Sequence, residues 1–97
     1  MSVTDARPEA AAFSADRAYR LNPQIALRDE SFGALAYHYG NRRLVFLKSR
    51  MLVTVVSSLH EYPSAREAVA AIVPERERAS YVRALARLAS SEVIDAT

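Results

Sequence analysis

Cysteine is absent from the 97 residues of this chain. That excludes disulfides and thiol nucleophiles, and it removes the commonest structural-zinc ligand. Glycine is nearly absent. Gly33 and Gly40 stand alone, so no glycine-rich loop is available to cradle a phosphate. His38 and His60 are the only two histidines, and their spacing suits no metal. His60 lies among Ser57, Ser58 and Glu61, but closeness in sequence is not triad geometry, since adjacent residues point apart on a helix. Asp29-Glu30 reads as a turn pair, not an acid/base dyad. No apolar run approaches the roughly 18 residues of a membrane span. The N-terminal stretch lacks the basic start and apolar centre of a secretory signal. These absences lead us to expect a cytoplasmic, metal-free protein that is not an enzyme and needs no cofactor.

What is present describes an ordinary globular chain. Half of it is apolar (51%) and a quarter charged (25%), with a formal charge of +2. Such a length holds one domain with one core. Residues 1–14 carry Arg7-Pro8 and an alanine run, and read as a flexible arm whose one adhesive residue is Phe13. Residues 15–97 form the domain. So small a positive excess does not by itself indicate a nucleic-acid binder, although it suits an acidic peptide. Arginine outnumbers lysine twelve to one, a bias that carries no functional argument.

Period-two patterning comes first. Ile25 and Leu27 share one side of a strand that follows Pro23 and is closed by Asp29-Glu30-Ser31. Between Gly33 and Tyr39, Leu35, Tyr37 and Tyr39 alternate with Ala34, Ala36 and His38. Gly40-Asn41 offers residues that tolerate positive φ for a tight hairpin. Arg43-Leu44-Val45-Phe46-Leu47-Lys48 then returns as a third strand. After Ser49 the period becomes helical. Leu52, Val55, Val56 and Leu59 lie on one helix face, which Pro63 ends. Ser64-Ala65-Arg66-Glu67 is a capping box opening a helix with Ala65, Ala68, Val69 and Ile72 inward. Pro74 breaks that helix and starts a third, Glu75 to Ser91, whose stripe is Tyr81, Val82, Leu85, Leu88 and Ala89. The expected fold is α+β: a three-stranded antiparallel meander followed by three helices.

The Leu44–Leu47 run has no polar face, so both of its faces should meet apolar matter. Either a monomer buries it, or it lies at a sheet edge as a place for another peptide to dock. Leu44 and Phe46 point one way, Val45 and Leu47 the other, and sequence does not say which pair faces the helices. On the third helix Arg76, Arg83 and Arg87 form a basic stripe; Arg42, Arg43, Lys48 and Arg50 surround the strand ends. A solvated helix face is the bland account of that stripe, and a rim that draws an acidic peptide is the functional one. Tyr37, Tyr39 and Tyr81 read as core aromatics with solvent-reaching hydroxyls.

Three segments, Tyr19 to Arg28, Phe32 to Gly40 and Arg43 to Ser49, together with Tyr81-Val82-Arg83-Ala84-Leu85-Ala86-Arg87-Leu88, resemble the mycofactocin biosynthesis chaperones. The resemblance covers residues 13 to 95 and rests on no catalytic motif. That family is similar to the pyrroloquinoline-quinone peptide chaperones. It implies a winged-helix-like arrangement with no activity of its own. It further implies that a precursor peptide adds as a strand beside the third strand and is presented to a radical S-adenosylmethionine enzyme. Carried onto this chain, the peptide-binding residues are Arg43, Leu44, Val45, Phe46, Leu47 and Lys48, with Tyr81, Ala84, Leu85, Arg87 and Leu88 on the facing helix. The resemblance implies neither a nucleic-acid nor a membrane partner.

Two other classes compete. A winged-helix DNA-binding module would place the third helix in a major groove. That helix lacks the Asn and Gln that read bases beside Arg; Gln24, Asn22 and Asn41 all lie in the strand half. A homodimer formed through the same edge strand is the third reading.

Overall fold

The computed structural model describes residues 12–97, and these run through five strands and three α-helices. Strands β2 (Ile25–Glu30), β3 (Gly33–His38) and β4 (Leu44–Leu47) form an antiparallel meander in that order. Helices α1 (Arg50–Ser58), α2 (Ala65–Ile72) and α3 (Arg78–Ser90) follow. The expected α+β class and meander are therefore what the chain adopts.

The sheet has an inner and an outer face because its side chains alternate. Ala34, Ala36 and His38 of β3 point inward and are buried, as is Leu47 of β4. Two fully buried alanines side by side on the central strand remove bulk where α1 packs on the sheet. The α1 stripe is the expected one: Leu52, Val55 and Val56 are buried, and Leu59 continues it in a 3₁₀ turn, Leu59–Glu61. Ser49 caps α1 by accepting from the Leu52 N–H at 3.0 Å. Ser64 caps α2 in the same way, accepting from Glu67 at 3.1 Å. Two more first-turn donors of α2, the N–H groups of Ala65 and Arg66, reach the carbonyls of Arg17 and Ala15. Beside them Arg66 and Asp16 form an exposed pair at 2.9 Å, and the guanidinium lowers the Asp16 carboxyl below its ordinary range.

Two features depart from the expected arrangement. The first is a second, two-stranded sheet. Strand β1 (Tyr19–Leu21) pairs antiparallel with β5 (Ile94–Ala96), joining the domain's two ends. Val93 and Ile94 are almost wholly buried there and hold Tyr19 in the core. Asn22 stitches this ribbon to the rest: its Nδ2 donates to the Glu92 carbonyl at 3.0 Å and its Oδ1 accepts from Gln24 N at 2.7 Å. The expected arm of residues 1–14 falls mostly outside the described residues; near its end, Phe13 stacks on Tyr19 at 5.0 Å.

The second departure concerns turns and helix starts. Positive φ after β3 falls on Arg42 (64°), not on the Gly40-Asn41 pair. The buried His38 ring explains this: Nδ1 accepts from both Gly40 N (3.0 Å) and Asn41 N (3.1 Å), which tightens the loop before it turns. Gly40 is needed for space, because a Cβ there would lie 2.8 Å from that ring and 2.7 Å from Gln24 Oε1. The third helix is also shorter than expected. Glu75–Glu77 form a 3₁₀ turn, so Arg76 lies before α3 and out of register with Arg83 and Arg87. Only the latter two remain of the basic stripe on α3.

The edge strand and its cleft

Strand β4 is the margin of the three-stranded sheet. It pairs with β3 alone, and no other strand among the described residues lies beside it. The direction of its backbone groups follows from the ladder. His38 N donates to the Arg43 carbonyl at 2.9 Å, so these two form a hydrogen-bonded pair. Antiparallel pairs alternate, so Ala36/Val45 and Ala34/Leu47 are hydrogen-bonded too, and their N–H and C=O groups point into the sheet. The N–H and C=O of Leu44 and Phe46 therefore point out, along the open margin. Two residues of backbone are presented there in strand geometry.

The side chains of β4 divide accordingly. Val45 and Leu47 are the inner pair, with Leu47 fully buried and Val45 half-buried. Leu44 and Phe46 are the outer pair, 51% and 53% exposed. The run is thus not buried in the monomer: half of it faces solvent.

Helix α3 runs beside this strand. Between them lies a cleft of about 250 Å³ lined by Val45, Phe46, Leu52, Ala84, Arg87, Leu88 and Ser91. Its lining is mostly apolar, with one exposed guanidinium from Arg87. At one end Tyr81 OH and Ser49 Oγ meet at 2.7 Å and tie α3 to the end of β4. At the other, Ser91 also borders a depression of about 210 Å³ between Arg43, Asn41, Ser90 and Glu92. The cleft thus meets β4 at Val45 and Phe46, with the smaller depression beyond it toward Arg43.

Of the residues singled out from sequence, Val45, Phe46, Ala84, Arg87 and Leu88 come together in the cleft itself. Arg43 and Tyr81 stand at its two ends. Leu44 and Lys48 are exposed beyond it, and Leu47 and Leu85 are fully buried behind it as core. Two tyrosines differ from expectation: Tyr39 is 63% exposed and Tyr37 half-exposed, packed edge to face at 5.3 Å on the outer side of the sheet. Both belong to the set that alternates away from Ala34 and Ala36, so the face the helices cover makes them outward. Sequence reasoning missed Leu52, which floors the cleft from α1. It opens the helical stripe directly after the strand, which was the available signal.

Gly33 places the strand. Its φ is +151°, and a Cβ there would run into the Leu47 carbonyl oxygen and lie 2.9 Å from Ser49 N. Only glycine lets the β2–β3 corner pass this close to the end of β4.

Among the described residues, no group of three or more His, Cys, Asp or Glu side chains could hold a metal. No helix there is long and apolar enough to cross a membrane.

The sequence model of the peptide chaperone MftB family matches residues 18–95, from just before β1 into β5. The chain belongs to the peptide chaperone MftB family. Three relatives, all named "Peptide chaperone MftB", agree over most of their length. The protein from Mycobacterium ulcerans is 49% identical over 86 residues, covering 88% of this chain and 79% of its own. That from Mycobacterium tuberculosis is 44% identical over 89 residues, covering 91% and 82%. That from Mycolicibacterium smegmatis is 47% identical over 83 residues, covering 84% and 81%. No solved structure matches. Peptide chaperoning is a non-catalytic role, so the family agrees with the expectation that the protein is not an enzyme.

Proposed function

We propose that this protein is the peptide chaperone of mycofactocin biosynthesis, which takes the precursor peptide as a fourth strand on β4 and holds it for a radical S-adenosylmethionine maturase. The observation that carries the reading is the open margin of β4 beside a mostly apolar cleft at Val45 and Phe46. Main-chain bonds to Leu44 and Phe46 bind any extended peptide, and the cleft selects among them. A strand added there projects alternate side chains toward Val45, Leu52, Ala84 and Leu88. Arg43 and Arg87 border the same path and favour a peptide carrying carboxylates, with an attraction that weakens in salt. A chaperone without chemistry of its own needs no metal and no cofactor. We place it in the cytoplasm, with its peptide and its enzyme.

The ladder specifies the test. Phe46→Pro removes an N–H that points to the open margin and leaves the bonds to β3 in place. Ala84→Glu puts a charged side chain into the cleft from a half-buried site. Each variant should keep the native circular dichroism spectrum and lose about tenfold or more in precursor affinity by titration calorimetry. Val45→Pro, by contrast, breaks the sheet itself and is the wrong variant. Unchanged affinity in both Phe46→Pro and Ala84→Glu would remove β4 as the docking strand.

A further inference from the structure

The outer face of the three-stranded sheet carries an apolar surface that extends well beyond the peptide cleft. Phe32, Tyr39, Leu44 and Phe46 are the exposed large hydrophobic residues of the described chain, at 41%, 63%, 51% and 53%. All four lie on this one face, with Leu35 and Tyr37 half-buried between them. Their arrangement is ordered: Phe32 stacks on Phe46 at 5.8 Å, and Tyr37 meets Tyr39 edge-on. Isolated exposed apolar residues are unremarkable in a folded protein, but a contiguous aromatic cluster of this kind marks an interaction surface. Large aromatics also carry most of the energy in protein interfaces.

Cations outnumber carboxylates around the cluster three to one. Arg28 shares the outer face, Arg42 sits in the adjoining turn, and Lys48 continues the outward row of Leu44 and Phe46. The one carboxylate on that face, Glu30, is already held by Arg28 at 3.1 Å. A second copy of this chain would bring the same positive excess, from Arg42 and Lys48, against itself, which disfavours a two-fold contact. A protein with an apolar patch rimmed by carboxylates is complementary.

The face is also continuous with the open margin of β4. Leu44 and Phe46 offer their backbone to the margin and their side chains to the outer face. A strand added to β4 would place its own alternate side chains in the same plane, next to Leu44 and Phe46. Whatever covers the outer face would then touch the held peptide as well.

We infer that the outer face of the sheet, centred on Phe32, Tyr37, Tyr39 and Phe46, is the docking surface for the enzyme that modifies the bound peptide, through an acidic-rimmed apolar patch on that enzyme. The inference rests on the proposed role as a precursor chaperone. It gives presentation a geometry: the backbone edge holds the peptide, and the adjacent face holds the enzyme over it. Coupling follows, because the peptide adds surface to the enzyme's contact. Precursor should tighten enzyme binding, and enzyme should tighten precursor binding by the same factor.

The test measures two affinities on the full chain, one for the precursor peptide and one for the maturase. Phe32→Ser with Tyr39→Ser changes two exposed side chains that lie off β4, and should leave the circular dichroism spectrum and the precursor affinity unchanged. Maturase affinity should fall about tenfold or more. Arg28→Glu should weaken maturase binding at low salt and flatten its salt dependence. Maturase affinity equal to wild type in both variants overturns the inference. So does a wild-type dimer that Phe32→Ser/Tyr39→Ser splits while the maturase affinity stays unchanged, since a second copy would then occupy the face. A chain that binds no precursor, yet loses the maturase in the Phe32→Ser/Tyr39→Ser variant, refutes the chaperone reading and leaves the docking surface standing.

Discussion

Gly33 and His38 show how single residues place β4. At Gly33 the backbone takes a φ of +151° while touching the Leu47 carbonyl, so two penalties combine in any replacement: a strained backbone and a steric collision. Gly33→Ala should destabilise the protein by about 2 kcal/mol or more and displace the end of β4. Urea unfolding read alongside precursor titration checks this; a Gly33→Ala protein with wild-type midpoint and affinity would mean that the corner yields without cost. His38 acts at the other end of the hairpin. Its ring is buried because it shares the inner face with Ala34 and Ala36, and its Nδ1 accepts from two loop N–H groups, Gly40 and Asn41. The alternation that sends His38 inward was legible in the sequence. Its bonds to the loop were not, since they depend on which face of the sheet the helices cover.

At the scale of elements, the cleft between β4 and α3 is closed off at one end by a side-chain contact. The Ser49–Tyr81 hydrogen bond is the clamp at one end, and Ser49 is also the cap of α1. One hydroxyl thus serves two elements. Ser49→Ala should cost about 1 kcal/mol for the cap and about 1 kcal/mol for the lost bond to Tyr81, whereas Tyr81→Phe loses only the second. A double-mutant cycle between the two should return a coupling of about 0.5–1.5 kcal/mol. Zero coupling would mean that the clamp contributes nothing. The helices themselves were readable: the α1 stripe, the Ser64 cap and the breaks near Pro63 and Pro74 all follow local rules of spacing and backbone chemistry. The start of α3 was not, because Glu75–Glu77 fits an α-helical wheel as well as a 3₁₀ turn. Arg76 therefore joined the stripe on paper and leaves it in the fold.

At the scale of the whole molecule, the β1–β5 ribbon closes the domain by bringing residues 19–21 against 94–96. Val93 and Ile94 bury two aliphatic side chains almost completely, worth about 1.5–3 kcal/mol each. Removing residues 93–97 should therefore take away a large part of the 5–15 kcal/mol typical of a whole domain. The truncated chain should melt far below the intact one and with less cooperativity, by circular dichroism. An unchanged melting curve would show the ribbon to be ornamental. This ribbon was hard to foresee because three-residue strands carry too little periodicity to register, and their pairing spans nearly the whole chain. The sequence by itself determined what local rules decide: the α+β class, a meander, three helices, and an apolar third strand. The tertiary structure alone decided that β4 lies at the margin, that Leu44 and Phe46 face out while Val45 and Leu47 face in, and that Leu85 serves the core and Ala84 the cleft. Alternation sorts side chains into two sets, but only the placing of helices on one face of the sheet makes one set inside and the other outside.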